Sequence, residues 1–177
     1  MEPPQHPSQQ GTAPISIRPA RDADLLRLQA HLPRFPGVHR DRIYRQRDGF
    51  SCYYIAWRAG EPVGHLFLMR RGTIYEPMAS RLRGCPHISD VFVQESLRSQ
   101  GIGSLLLDVA ENDCRAANAG RVGLGVALDN VRARQLYERR GYAPAGVDDY
   151  VIEWLDLGAQ GGQRLVREVC TYLVKPL

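Results

Sequence analysis

Lysine is almost absent from this chain. Of 23 cationic residues only Lys175 is a lysine, and the rest are arginines. No Gly-Lys-Ser/Thr triplet occurs, which excludes a phosphate-binding loop of the P-loop type. No apolar run approaches the length of a membrane span, so no membrane association is expected. A basic-then-apolar leader is also lacking, which makes the protein cytoplasmic by expectation. Cys52, Cys85, Cys114 and Cys170 are widely spaced with no C-x-x-C pair. Neither a disulfide framework nor a metal site is therefore expected. Isolated cysteines in apolar runs behave as small buried hydrophobes. The net charge of +4 is spread along the chain and mixed with acids, so it marks no dedicated nucleic-acid surface.

What is present suits one folded domain. The chain has 177 residues, 44% hydrophobic and 24% charged, enough for a substantial core. Residues 1–14 are rich in Pro and Gln and lack aromatics, which predicts a disordered tail before a domain at 15–177. Alternation at 15–18 predicts a strand. Asp22 is placed to cap a helix carrying Leu25, Leu26, Leu28 and Leu32, which Pro33 stops. Residues 39–49 predict a second short helix, with Arg40, Arg42, Arg45 and Arg47 as a solvated face. Strands follow at 52–58 and 63–70, joined by hairpin chemistry at 59–62. His65 alternates with Val63 and Phe67, the position of a packed core histidine.

A long excursion, 71–86, precedes a strand ending in Val91, Phe92 and Val93. The next helix puts Leu106, Val109, Ala110, Cys114 and Ala117 on one face. In the strand at 121–128, Val122, Leu124, Val126 and Leu128 point one way. Gly123, Gly125 and Ala127 point the other, leaving room for a ligand, another backbone or a closely packed helix. Asn130 is a good N-cap for a helix at 131–140, which Gly141 ends. Strands at 142–156 and 164–174, joined by a flexible loop at 158–162, complete the chain. This order predicts an α/β class with a mixed sheet rather than a doubly wound parallel one.

Chemistry concentrates at 88–103. A strand, a glycine turn and a helix N-terminus converge there, an arrangement that suits an anion. A Rossmann reading would need a glycine where Leu106 stands and a first rather than a late strand. Arg98-Ser99-Gln100-Gly101-Ile102-Gly103 fits R/Q-x-x-G-x-G/A. Further on lies Asn130-x-x-Ala133-x-x-Leu136-Tyr137-x-x-x-Gly141-Tyr142. The two motifs, on the elements that carry them, resemble the GNAT superfamily of acyl-CoA-dependent N-acyltransferases, over residues 15–177. The resemblance implies the GNAT fold, with roughly six or seven mostly antiparallel strands flanked by about four helices.

The resemblance also implies roles. Backbone N–H groups of Ser99, Gln100, Gly101, Ile102, Gly103 and Ser104 would grip the CoA pyrophosphate, with Arg98 adding charge. Phe92 and Val93 would offer backbone groups to the pantetheine arm and polarise the thioester carbonyl. Asn130, beside Ala133, would bind the pantetheine while capping its helix. Tyr137 stands where family members place a tyrosine near the CoA sulfur; a half-buried packing aromatic is the alternative. Several branches use a Glu near the start of the central strand, where this chain has His87. A neutral His is a competent base near pH 7. Asp90 is the other candidate, and strict alternation would set it on the face of Ile88 and Phe92, opposite His87. Branches that acetylate protein N-termini carry a Glu where Gly125 stands, which weakens that substrate class here.

These residues lead to one expectation. It is an N-acetyltransferase that brings acetyl-CoA and a primary amine together for direct attack, without an acyl-enzyme. The alternative is a CoA-binding regulatory or partner-binding module without catalysis, because the base is open between His87, Asp90, a water relay and none. Asp148, Asp149, Glu153 and Asp156 lean towards a cationic acceptor. A small molecule or a peptide would serve, its site built from loops at 32–49, 71–86 and 147–162. The resemblance allows a homodimer, and nucleic-acid binding through Arg40 to Arg47 ranks last.

Overall fold

The β-branched and aromatic strands and the 3.6-residue periodic helices assemble into one mixed layer structure. The computed structural model describes residues 13–32, 37–157 and 163–177, with backbone alone at 154–157 and 163–164. Residues 1–12 of the expected tail, Pro33 and the expected loop at 158–162 lie outside the described residues. The elements are β1 (Ile15–Pro19), α1 (Leu25–His31), α2 (Val38–Arg45), β2 (Ser51–Arg58) and β3 (Glu61–Met69). Then come α3 (Met78–Arg81), β4 (His87–Val93), α4 (Ile102–Ala116), β5 (Arg121–Ala127) and α5 (Val131–Arg139). The last are β6 (Ala143–Pro144), β7 (Tyr150–Leu157) and β8 (Gln163–Pro176). The expected strand at 142–156 is thus split in two around Gly146, whose φ is 71°. The short α3, inside the long excursion, had no sequence expectation.

The strands form one sheet in the order β1-β2-β3-β4-β5-β8-β6, with β7 added to β8. Among the described residues, β4 and β5 pair in parallel and the other pairs are antiparallel. The expected mixed, mostly antiparallel sheet flanked by helices is what forms. One face carries α4, whose Leu106, Leu107, Ala110 and Cys114 pack with Leu66, Leu68, Ile88 and Leu124. On the other face Leu28, Leu32 and Ile43 of the α1–α2 region pack with Tyr53, Ile55 and Phe67. All four cysteines are buried thiols. Asp22 does not cap α1: the chain enters through a tight turn, and Asp24 takes the inner position, accepting from Arg21 N at 2.7 Å and pairing with Arg18. Asp22 instead pairs with Arg47.

Two carboxylates pin α4. Glu111, 2% exposed, accepts from Lys175 Nζ at 2.6 Å, Arg140 Nη2 at 3.1 Å and the Tyr142 hydroxyl at 3.2 Å. Asp113 accepts from the Tyr54 hydroxyl and, at 2.6 and 2.9 Å, from the Arg70 guanidinium. Burying a carboxylate is costly unless charge and hydrogen bonds compensate, as both sets do. They hold α4 against β2, β3 and β8, and so fix its N-terminus relative to β4. No helix among the described residues is long and apolar enough to cross a membrane.

β4 and β5 separate early. Their register is His87↔Gly123 and Ile88↔Leu124. On its other edge β4 has a bulge against β3, between the pairs His65↔Phe92 and Phe67↔Ser89. Asp90, in the bulge, has φ 51°. An inserted residue bends a strand and adds twist, here just where β4 leaves β5.

Candidate active site

A cavity of about 480 Å³ lies between the end of β4, the glycine turn before α4 and the helix α5. Val91, Phe92 and Val93 form one wall, the glycine turn and first turn of α4 the floor, and one face of α5 the other wall. Gly101 is the N-cap of α4, with φ 82°, and no side chain caps this helix. A positive φ is cheap for glycine and strained for most other residues. The first-turn N–H groups, which have no partner within a helix, therefore lie at the cavity with the positive end of the dipole. Gly103 is not demanded by packing: an added Cβ would sit 3.5 Å from Leu136 and 3.9 Å from Val93, ordinary contact distances, but would project into the cavity.

The expected cofactor residues Phe92, Val93, Arg98, Ser99, Gly101, Ile102, Gly103, Ser104, Asn130 and Ala133 all line this cavity. Gln100 does not. Its side chain turns outward and accepts from Arg58 at 2.9 Å. The Asn130 side chain accepts from Ala133 N at 3.2 Å, so Asn130 caps α5 as expected. Arg98 donates to the Val93 carbonyl at 3.2 Å, and Arg132 of α5 reaches across to Ser99 Oγ at 2.7 Å. Uncapped N–H groups, Arg98, Arg132 and Arg139, and a glycine facing open space fit an extended polyanionic ligand such as CoA. Tyr137 also lines the cavity; it is 7% exposed, and burial pushes its phenol up to about 12.

The two candidate bases stand differently. His87 is 4% exposed and stacked on Tyr172, with Nδ1 2.9 Å from the Tyr172 hydroxyl. Burial lowers it to about 4, so it is neutral and weakly basic near pH 7. Asp90 forms an ion pair with Arg42 of α2, and His65 Nδ1 lies 3.8 Å away. Strict alternation does not hold across the bulge. Ile88, Val91 and Val93 pack on the α4 side, while Phe92 stacks on His65 at 5.3 Å on the α1–α2 side. Asp90 contacts that side too, and His87, opposite Met69, shares it. The two candidates are therefore on one face, not on opposite faces.

The bare face of β5 is filled by neither a helix nor a backbone. A Cβ at Gly123 would clash with the Tyr172 ring, and one at Gly125 with the Tyr150 hydroxyl. Of the acids expected near an acceptor, Glu153 is paired with Arg167 at 3.4 Å on the opposite face of the β7–β8 hairpin. The Asp156 side chain lies outside the described residues.

A sequence model of the Acetyltransferase (GNAT) family matches residues 22–142. The chain belongs to that family. It is 33% identical over 93 residues to an uncharacterised N-acetyltransferase of Methanocaldococcus jannaschii, covering 52% of this chain and 53% of that protein. The match thus spans about half the length of the archaeal relative. Two solved structures share the fold. A ribosomal-protein-alanine N-acetyltransferase from Brucella melitensis has a TM-score of 0.64 at 22% identity, over 92% of this chain and 99% of that one. A GNAT family acetyltransferase from Elizabethkingia anophelis, with acetyl-CoA bound, has a TM-score of 0.58 at 17% identity, over 92% and 98%.

For a GNAT chain, the cavity holds residues that the motifs left out. Val91, Leu97, Arg132 and Arg139 line it as well. Leu136, part of the second motif but given no role there, also lines it, on the helical face of Asn130, Ala133 and Tyr137. Arg132 and Arg139 carried no signal, because arginine is everywhere in this sequence. On the other face, Tyr75, Tyr150 and Tyr172 gather from three separate segments.

Proposed function

We propose that this protein moves an acetyl group from acetyl-CoA to a primary amine by direct attack in a ternary complex. One observation carries the proposal: a single cavity joins the uncapped N-terminus of α4, Asn130 and Tyr137. Family membership and a like-folded structure with acetyl-CoA bound support it. Bound acetyl-CoA would supply an acetyl thioester, whose thiol leaving group has a pKa of ~8.5.

The chain's own residues then do four things. The N–H groups from Ser99 to Ser104 bind pyrophosphate oxygens, and Arg98, Arg132 and Arg139 offset their charge. Gly103 admits the ligand against the helix. Backbone at Phe92 and Val93, with Asn130, orients the pantetheine arm. Tyr137 keeps its proton at neutral pH and donates a hydrogen bond to the departing sulfur. With the phenol at about 12, full transfer to a thiolate of ~8.5 is uphill, so hydrogen bonding is the role that fits. His87, at about 4, and the ion-paired Asp90 are poorly matched to taking a proton from an amine at neutral pH. The amine therefore enters neutral or gives its proton to water.

Calorimetry and thermal shift with acetyl-CoA test the donor. Neither heat nor stabilisation at millimolar ligand would end this reading. A second reading, a CoA-binding module without catalysis, draws on the lack of a well-matched base at His87 or Asp90. Release of CoA across a panel of amines separates the two.

A further inference from the structure

Asp90 stands where the backbone would prefer glycine. Two residues of β4, Asp90 and Val91, face the single Leu66 of β3, between the pairs Phe67↔Ser89 and His65↔Phe92. The first of the two, Asp90, has φ 51°. A bulge of this kind usually carries glycine at its first position, because a left-handed backbone is strained for most side chains. Asp is one of the few residues that tolerate it, and still at a cost. Such a conformation persists only where the surrounding structure holds it.

Here α2 does the holding. Arg42 forms an ion pair with Asp90, their side chains 15% and 18% exposed. A pair this sheltered is screened far less than one on the surface. The Arg42 guanidinium is itself seated over two rings, 5.3 Å from the centre of Tyr53 and 5.4 Å from that of Phe67. Tyr53 is fixed in turn by His39 of α2, whose Nδ1 lies 2.8 Å from the Tyr53 hydroxyl. His65 touches both ends of the bulge, with Nδ1 3.8 Å from Asp90 and its ring stacked on Phe92.

Beyond the bulge the strand becomes the cavity wall, through Val91, Phe92 and Val93. The Phe92 ring is turned away onto His65, so Phe92 presents its backbone to the cavity. Gly64 of β3 lets that backbone lie close, since an added Cβ would come 2.7 Å from the Phe92 carbonyl oxygen. Gln94 N donates to the Val63 carbonyl at 3.0 Å, so by alternation the Val93 N–H points away from β3. On that side β4 pairs with β5 only at His87 and Ile88 among the described residues. The Val93 N–H is therefore left for the cavity. Misplacing a reacting group by about 1 Å can cost about 100-fold in rate, so the bulge that aims this group matters.

We propose that Arg42 and Asp90 are positioning residues, whose ion pair sets the bulge so that the Val93 N–H points at the thioester carbonyl of bound acetyl-CoA. The proposal rests on the acetyl-transfer reading above. It gives α2, which belongs to neither motif, a part in the reaction. Asp90 acts through its charge and its backbone, not as a base.

Infrared difference spectroscopy of acetyl-CoA labelled with carbon-13 at the thioester carbonyl reads the aim without any acceptor. Bound to the parent protein, the carbonyl band should lie at lower frequency than in free acetyl-CoA, because a donated hydrogen bond weakens the C=O bond. Arg42→Met should lose most of that shift, while the acetyl-CoA Kd in calorimetry stays within about two-fold. Asp90→Asn, which keeps a side chain that tolerates positive φ but carries no charge, should do the same. The double variant should lose no more than either alone. With any amine that reacts, kcat should fall about ten-fold in each variant. A parent-like band in Arg42→Met would overturn the proposal. So would a parent-like band in Asp90→Asn, and lost turnover there would make Asp90 a base instead. If Arg42→Met does not fold, Asp90→Asn decides alone. A parent that binds acetyl-CoA with its band unshifted overturns the positioning role and leaves the donor reading standing; a parent that shows no binding takes the donor reading with it.

Discussion

The two faces of the sheet are built on different terms. The α4 face is largely aliphatic, with Leu66, Ile88, Leu106, Leu107 and Leu124 at its centre, and its cavity presents backbone N–H groups and arginines. The opposite face is aromatic and polar. His39 sits between Tyr53 and the Leu32 carbonyl, at 2.8 and 2.6 Å, and His65 stacks on Phe92. Beyond them run His87, Tyr172 and Tyr150. The contrast teaches a division of labour. On the proposed reading the α4 side would grip a constant ligand with backbone geometry, while the opposite side gathers side chains from many segments.

The largest test of that contrast strikes the scaffold of the α4 face. Glu111→Ala leaves Lys175 and Arg140 without their shared carboxylate, so a loss of about 3–5 kcal/mol is expected in chemical denaturation. Next comes the other face. His87 binds a proton in the unfolded chain near its ordinary 6.5 but only at about 4 when folded. Between those values the unfolded state holds more protons, so stability is full above about 6.5 and falls as pH drops through the window. The loss should approach about 3 kcal/mol by pH 4, and denaturation of His87→Phe should lack this part of the pH dependence.

Gly103→Val addresses the cavity alone. Its Cβ meets ordinary contacts, so the melting temperature should hold, while the acetyl-CoA Kd rises about 100-fold, or ~2.7 kcal/mol. A retained affinity would remove the glycine turn from the cofactor grip. The smallest expected effect is Tyr137→Phe, with kcat down about ten-fold, ~1.4 kcal/mol, and Kd within two-fold. An unchanged rate would leave Tyr137 as a packing residue and shift the function of that cavity wall to Asn130.

The same contrast explains what the sequence disclosed. Arg98-x-x-Gly101-x-Gly103 and the Asn130–Tyr137 run were readable because a turn, a cap and a helix face are local: each needs particular residues at fixed short spacing. The order of elements along the chain and most of their boundaries followed from alternation and capping for the same reason. The row formed by His87, Tyr172, Tyr150 and Tyr75 was not readable, since tertiary pairing alone brings positions so far apart together. Gly123 and Gly125 hinted that something lay over β5, but not what. The faces of His87 and Asp90 were misjudged because alternation assumes an unbroken strand, and no residue type announces the bulge at Asp90. Arg132 was hidden by the abundance of arginine.

That bulge has a consequence for how the chain tolerates change. One extra residue shifts the phase of β4 by half a period, so that valines 91 and 93 point to the α4 side and Phe92 to the α1–α2 side. Deleting Asp90 would restore the beat of an ordinary strand and exchange those faces. Composition, length and hydrophobicity would scarcely alter, yet each side would receive the other's residues. Single-residue insertions and deletions in β4 should therefore be among the least tolerated changes in the chain, worse than most substitutions at the same positions.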